Sequence, residues 1–263
     1  MTRGMRGRIL AGFVLAMVLV SDVPASASPA ATLESEEEIS AAYSQGIARI
    51  KNGWIMTARF QIARVDENFE EVKTNRDPIP PELKTEGYNH VGDIDVVGKL
   101  IYAPLEQGDY TRGEQVTAIY KVKNLKLVEF IRVPQNENSF VALDPETMIA
   151  YSFMDFSGQE LLLYDVEDDW APLDPIPMSM FVDRVQGLDI ADGYAWLMTD
   201  DATNGLYRVD LETGETVLLA SVEPVPGEGE GIDATDLDSG FLHTMVIDEN
   251  NAPVYVAHWS VTE

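Results

Sequence analysis

Residues 186–197 read QGLDIADGYAWL, in which an apolar run over Leu188–Ile190 enters an Asp192-Gly193 turn and a second run, Ala195–Leu197, leaves it. Asp-Gly supplies the positive φ values that a tight two-residue hairpin requires, so the stretch predicts two antiparallel strands. The same order of strand, turn and strand occurs five times along the 263-residue chain. The five turns are Asn52-Gly53, Val97-Gly98, Asp144–Thr147, Asp192-Gly193 and Asp238–Gly240.

The interval between these turns is nearly constant, at about 45 to 47 residues. A repeat of that length built from strands is typical of a propeller blade, whereas the turns of a sandwich recur every ~8–12 residues. Third and fourth strands follow in the fourth repeat, at Leu206–Asp210 and Glu215–Ala220. We therefore predict an all-β, five-bladed β-propeller over residues 44–263, with a six-bladed or incomplete propeller as the alternative.

The last repeat stops after its third strand, Val254–Trp259. In closed propellers the missing outer strand of the last blade is commonly supplied by the other terminus, which removes an exposed sheet edge. The acidic N-terminal segment, residues 28–43, is the possible strand donor, with Thr32 to Ser44 as the candidate stretch. Its acidic run Glu34–Glu38 equally allows a solvated tail or a short helix.

The N-terminus has the pattern of a secretory signal peptide. Arg3, Arg6 and Arg8 precede the apolar run Ile9–Val20, and Ala25-Ser26-Ala27 is a small-residue cleavage pattern. An uncleaved anchor is the alternative, but the run is shorter than the ~20 residues of a membrane span. We expect residues 1–27 to be removed and the protein to be secreted or periplasmic. The chain has no cysteine, so disulfides do not stabilise it.

The net negative charge of the chain limits the classes of partner that it can bind. The chain has 45 acidic and 18 basic residues, a net charge of −27. This field repels phosphate backbones, which argues against nucleic acid and anionic lipid as partners, and it attracts divalent cations and basic groups. The alternative role of the charge is solubility or adaptation to a saline environment. We expect a monomer that does not insert into a membrane after signal cleavage.

Polar side chains recur near the starts of the first strands, which converge on the axis of a propeller. Carboxylate and amide oxygens are ligands that suit Ca²⁺. We therefore predict an axial site for a divalent cation or a small polar ligand, with Asn89 and Gln186 as ligand-binding residues. The predicted metal ligands are Asp93, Asn138, Asp189, Glu230 and Asp233. The competing role for such side chains is to cap turns or to bond neighbouring blades.

The segment His90–Asp95 is the sharpest local pattern. His90 stands at a strand entry, where it is the candidate catalytic base or a ligand. Asp93 and Asp95 are two residues apart and share one face of a strand. A structural hydrogen-bonding role is the alternative for all three. His243 and His258 lie within strands, where packing and local hydrogen bonds are expected to satisfy them.

Common catalytic signatures are absent from the sequence: there is no G-x-S-x-G elbow, no phosphate-binding glycine loop and no H-E-x-x-H. Three segments nevertheless resemble the blade repeats of secreted bacterial propellers in the gluconolactonase, senescence-marker and arylesterase group. They are Glu230–Asp233, Gln186–Asp189 with Asp192–Trp196, and Gly205–Asp210 with Thr213–Glu215.

This resemblance implies an axial Ca²⁺ held by Glu, Asn and Asp side chains, and hydrolysis of lactones or esters. The matching positions are Glu230, Asn138, Asp189 and Asp93. That group has six blades, whereas this chain has residues for five. Three functions therefore stay open: an exported propeller that binds a cation or small polar ligand, a Ca²⁺-dependent lactonase or esterase, and a protein-interaction scaffold. The sequence does not decide whether the protein is an enzyme.

Overall fold

The computed structural model describes residues 29–221, 227–248 and 253–262, and it shows five antiparallel sheets arranged as the blades of a β-propeller. The predicted all-β, five-bladed fold is confirmed. The predicted signal peptide, residues 1–27, lies outside the described residues. None of the helices in the described part of the chain is long and apolar enough to cross a membrane.

Each blade places its first strand at the axis and its last strand at the rim. The first strand of the described chain, β1 (Ala30–Ile39), belongs to the fifth blade. The first blade contains β2 (Gly46–Ile50), β3 (Gly53–Ala58), β4 (Gln61–Val65) and β5 (Glu71–Asn75). A short helix, α1 (Pro81–Thr85), leads to the second blade.

The second and third blades depart from a simple four-strand meander. In the second blade, two short strands pair with the same neighbour at the axis. Its strands are β6 (Tyr88–Val91), β7 (Asp95–Val97), β8 (Leu100–Gln107), β9 (Gln115–Lys121) and β10 (Leu127–Val133). In the third blade the outer position is divided between β14 and β15. Its strands are β11 (Ala142–Asp144), β12 (Ile149–Ser152), β13 (Gly158–Asp165), β14 (Ala171–Pro172) and β15 (Ile176–Val182).

The fourth and fifth blades are four-stranded. The fourth contains β16 (Val185–Ala191), β17 (Tyr194–Thr199), β18 (Gly205–Asp210) and β19 (Thr216–Ser221). The fifth contains β20 (Glu228–Asp233), β21 (Leu242–Ile247) and β22 (Val254–Thr262), with a 3₁₀ turn over Leu237–Ser239. In the hairpin between β16 and β17, Asp192 and Gly193 both have positive φ, 54° and 78°, as the sequence pattern requires.

The fifth blade is completed by the N-terminal segment. Strand β1 pairs antiparallel with β22, from Ala30 opposite Thr262 to Ile39 opposite Val254. The strand lies within residues 28–43, and it begins slightly before the candidate stretch Thr32 to Ser44. It covers the outer edge of β22, which would otherwise present unpaired N–H and C=O groups.

The apolar core lies between neighbouring blades. Tyr102 of the second blade packs beside Tyr164 and Trp170 of the third, and all three are buried. The seam between the fifth and first blades is filled in the same way, with Trp54 and Met245 among its buried residues. These seams hold the inner strands in a closed ring, because each sheet covers its apolar faces only against its neighbours.

The ring has two ends, which we name by the chain direction of the inner strands. The entry face is the end at which the inner strands begin. The turn face is the end at which the first hairpin of each blade turns back, as at Asp192-Gly193.

Candidate functional site

Asp93 fills the centre of the propeller. Its side chain is 1% exposed, and both carboxylate oxygens accept backbone hydrogen bonds from other blades. Oδ1 accepts from Ile47 N at 3.1 Å, and Oδ2 accepts from Leu188 N at 3.3 Å and Ile232 N at 3.2 Å. The backbone N–H of Asp93 donates to Ser139 O at 2.8 Å. One residue of the second blade is therefore bonded to all four other blades.

The inner strands of the first, fourth and fifth blades each have a glycine next to this carboxylate. Counted from the first hairpin, Gly46 and Gly187 occupy the position that Asp93 has in the second blade. In the fifth blade, Gly231 lies two residues before Asp233, as Asp93 lies two residues before Asp95. A β-carbon on Gly231 would lie 2.7 Å from Asp93 Oδ1, and one on Gly187 would lie 2.9 Å from Oδ2. Such contacts are too short for real side chains, so only glycine allows the blades to close on the carboxylate.

Three further aspartates bond neighbouring blades on the turn side of Asp93. Asp95 and Asp189 occupy equivalent positions, two residues before the end of the first-hairpin pairing, and Asp233 is the last paired residue of the corresponding strand in the fifth blade. Each accepts a backbone N–H from the next blade. The pairs are Asp95 Oδ2 with Leu143 N at 2.7 Å, Asp189 Oδ2 with Ala234 N at 2.5 Å, and Asp233 Oδ2 with Arg49 N at 2.6 Å.

Burial of these carboxyl groups disfavours their charged forms. It is the main reason that the pKa of Asp95 rises to about 6 and that of Asp233 to about 7. Burial also raises the pKa of Asp189, and the nearby charges of Asp95 and Asp233 add to the effect. The pKa of Asp93 is raised by burial despite its backbone hydrogen bonds. These groups are suited to holding blades together and to taking up protons.

On the turn face, a cavity of about 580 Å³ opens among the hairpins of the second to fifth blades. Asp95 and Asp189 lie in its lining, but their oxygens already accept backbone N–H groups. No three His, Cys, Asp or Glu side chains in residues 29–221, 227–248 and 253–262 are grouped so as to hold a metal ion.

A second group of polar residues lies on the entry face, between the second and third blades. His90 of β6 places Nδ1 3.4 Å from Glu106 Oε2, and its Nε2 contacts Gln45 Oε1 of the first blade. Glu106 is 5% exposed, and its Oε1 accepts Asn138 N at 3.0 Å. The hydroxyl of Tyr110 lies 3.5 Å from Glu106 Oε2.

Glu137 and Asn138 complete this group, which we call the entry cluster: His90, Glu106, Glu137 and Asn138. Glu137 Oε2 accepts Phe156 N at 2.6 Å. Burial raises the pKa of Glu137 to about 7, with the charges of Glu106 and Asp155 contributing. Asn138 is 1% exposed and donates from Nδ2 to Val116 O at 2.8 Å, but its Oδ1 has no hydrogen-bond partner. A buried acceptor left unpaired is costly, so it marks a place that a donor would occupy favourably.

The remaining predicted site residues lie around the entry face. Asn89 is exposed, and its Oδ1 accepts Arg59 Nη2 at 3.0 Å. Gln186 is half-buried at the start of the fourth blade's inner strand. Glu230 is 8% exposed, and its pKa is raised well above the usual value by burial, with Glu228, Asp200 and Asp93 adding to the effect.

The five predicted metal ligands are therefore distributed along the axis. Asn138 and Glu230 lie on the entry side, Asp93 lies at the centre, and Asp189 and Asp233 lie on the turn side. The true equivalent of Asp189 and Asp233 in the second blade is Asp95, two residues beyond Asp93. Their role as metal ligands stays a prediction.

Sequence reasoning did not select Glu106 or Glu137. Glu106 begins the long polar connection over residues 106–113, and such connections on a rigid scaffold often carry binding residues. Glu137 stands one residue before the selected Asn138. The polar connection and the position next to Asn138 could therefore have indicated these two residues. The contact of Glu106 with the Asn138 amide, however, joins two blades, and the sequence of a single repeat does not reveal it.

Comparison with known proteins found a structural similarity but no family. No family model matches the chain, and no curated protein matches it. A chain in a crystal structure of a mitotic checkpoint complex is similar, at 12% sequence identity and a TM-score of 0.48. The match covers 82% of this chain and 63% of that one.

Proposed function

We propose that the protein is a ligand-binding β-propeller whose entry cluster takes a small, positively charged, polar ligand. The observation that supports it is the unpartnered Oδ1 of Asn138 beside two buried carboxyl groups. Neither Glu106 nor Glu137 has an ion pair with Lys or Arg in the described residues. Buried carboxylates are normally paired, so a cation from outside the chain would supply the missing partner.

The axial aspartates fit a divalent ion poorly. Ca²⁺ takes six to eight oxygen ligands, and the oxygens must be directed at the ion. The oxygens of Asp93, Asp189 and Asp233 are instead directed at backbone N–H groups, which are donors. For this reason we place the cationic ligand at the entry cluster, where Asn138 and Glu137 would contact it, and derive no chemistry from a metal at the axis.

Calorimetric titration of the protein with 1,4-diaminobutane and, separately, with CaCl₂ tests the proposal. We expect saturable binding of at least one of these cations, and a Glu137→Gln variant should bind it at least tenfold more weakly. Glu129→Gln is the matched control, because Glu129 is exposed on β10, the outer strand of the second blade, in register with Tyr102 and Asp95 on the turn side. If neither cation binds, or if the two variants bind alike, the proposal is wrong.

A lactone- or ester-hydrolysing enzyme is the second candidate, and one contact favours it. His90 Nδ1 lies close to Glu106 Oε2, as in sites where a carboxylate orients a general base. A panel of lactones and esters should be assayed with the parent protein, His90→Gln and Asp189→Ala. Turnover that His90→Gln abolishes would establish the enzyme, and turnover insensitive to Asp189→Ala would remove that residue from the site. The absence of turnover leaves the binding function.

Export is a separate proposal, supported by the N-terminal arginines and the following apolar run. N-terminal sequencing of the protein expressed in a bacterium tests it. We expect the mature chain to begin at Ser28 and to be found outside the cytoplasm. An intact Met1 on the cytoplasmic protein would contradict the proposal.

A further inference from the structure

Three residues with exposed apolar side chains are hydrogen-bonded to the entry cluster. Tyr110, Met154 and Phe156 are 44%, 43% and 37% exposed. Single exposed apolar residues are ordinary on protein surfaces. The Tyr110 side chain, however, contacts the cluster, since its hydroxyl lies 3.5 Å from Glu106 Oε2. The other two residues are bonded to Glu137 through their backbones: Phe156 N donates to Glu137 Oε2, and Met154 O accepts Glu137 N at 3.2 Å.

The site therefore combines three chemical features. It has buried carboxyl oxygens, an amide oxygen that lacks a donor, and an apolar margin to which Tyr110 contributes its aromatic ring. A primary alkylammonium group matches all three features. Its N–H groups donate to carboxylate and amide oxygens, and its methylene chain packs on apolar and aromatic surfaces. A bare divalent ion would leave the apolar margin unused. A quaternary ammonium would have no N–H to donate to Asn138 Oδ1.

We propose that the entry cluster binds a primary alkylammonium group, as carried by a lysine side chain or a free aliphatic amine. The ammonium would bond to Asn138 Oδ1 and the Glu106 and Glu137 carboxylates, and the alkyl chain would pack on the apolar side chains. The inference rests on the proposed function and narrows its ligand to one chemical class. The net charge of −27 favours the approach of such a ligand.

Four probes test it by calorimetric or NMR titration of the full chain. They are N-acetyl-lysine methylamide, its Nζ-trimethyl form, N-acetyl-norleucine methylamide and 1,5-diaminopentane. We expect saturable binding of the lysine probe or the diamine, binding at least tenfold weaker for the trimethyl form, and none for norleucine. A lysine probe that binds more tightly than the diamine indicates a protein ligand, and the reverse order indicates a free amine.

Variants identify the site. Tyr110→Ala should weaken binding of the amine several-fold, because it removes one wall of the apolar margin. Phe241→Ala is the matched control, since Phe241 is 40% exposed and lies just before β21 in the first hairpin of the fifth blade, on the turn face. Both variants are checked by thermal unfolding, and both side chains are exposed enough for folding to be retained.

Three results would overturn the inference. Equal affinity for norleucine and lysine would indicate an apolar docking surface of a scaffold. Equal affinity for the trimethyl form would exclude donation to Asn138 Oδ1. Binding of Ca²⁺ that is lost in Glu137→Gln, with no binding of any amine, would contradict this inference while leaving the proposed function intact. Failure of every cation to bind would remove both.

Discussion

At the scale of single residues, Asp93 has the largest structural role. Its carboxylate accepts N–H groups from three blades in the centre of the ring. Asp93→Ala would leave three buried donors without a partner, and each such donor costs about 1–3 kcal/mol. We expect the free energy of unfolding to fall by roughly 3 kcal/mol or more. Urea unfolding measures it, with Asp174→Ala, at an exposed position, as the control. Equal stability of the two variants would contradict the central role of Asp93.

Glu137 makes a residue-scale prediction about binding. Burial and the charges of Glu106 and Asp155 raise its pKa to about 7, whereas an alkylammonium, with a pKa of about 10.4, stays charged. A cation binds the ionised carboxyl group, so affinity is nearly full about one pH unit above 7 and declines as the pH falls through 7. We expect the affinity for N-acetyl-lysine methylamide to fall about tenfold from pH 8 to pH 6.

The control for this pH dependence is Glu137→Gln, which removes the titrating group. Its weaker affinity should vary little over the same range. A pH profile in the variant as steep as that of the parent protein would assign the dependence to a group other than Glu137.

At the scale of elements, the sequence predicted the strands and turns that depend on residues close together in the chain. Hairpin turns and β-branched runs predicted the inner strands, and the missing last strand indicated the N-terminal donor. The division of the third blade's outer position between β14 and β15 was not predictable, since pairing with β13 depends on tertiary contacts. The equivalence of Asp95 with Asp189 and Asp233 also required the register, because the pairing of β7 with β8 fixes the position.

The entry cluster was predictable only in part, for a related physical reason. His90 and Asn138 were recognised as polar residues at strand entries. Glu106 lies at the far end of a second strand, and only the closed ring brings its carboxylate to the Asn138 amide. Repeats indicate which residues are equivalent, but a site built between blades depends on the residues that differ.

Strand β1 carries the element-scale prediction. Its pairing with β22 closes the ring and covers a sheet edge. Deleting residues 30–39 should lower the melting temperature and produce dimers or larger aggregates, because the exposed edge of β22 pairs with other chains. Size-exclusion chromatography with light scattering measures this, and Glu36→Gln, which keeps the strand, is the control. A monomeric deletion variant with an unchanged melting temperature would show that closure by β1 is dispensable.

At the scale of the whole molecule, the pH dependence of folding stability is set more by buried carboxyl groups than by buried imidazoles, because the carboxyl groups are more numerous. The pKa values of Asp95, Asp233 and Glu137 are raised to about 6 or 7. The stability that these groups contribute is fully present below pH 4 and is lost as the pH rises through 6 to 7. Lower pH also reduces the net negative charge, and hence the self-repulsion of the folded chain.

Two histidines, His243 and His258, oppose this trend, because burial lowers the pKa of both. Burial and the neighbouring His258, whose Nδ1 lies 2.7 Å from its own, lower the pKa of His243 to about 4. Its contribution to stability is present above pH 6.5 and is lost as the pH falls towards 4. Because the raised pKa values of Asp95, Asp233 and Glu137 act against the lowered pKa values of His243 and His258, we expect a higher melting temperature at pH 5 than at pH 8. Asp233→Asn should reduce the difference, since it removes one of the carboxyl groups. A parent protein that melts higher at pH 8 would show that the buried aspartates are ionised in the fold, and that their backbone hydrogen bonds outweigh their burial.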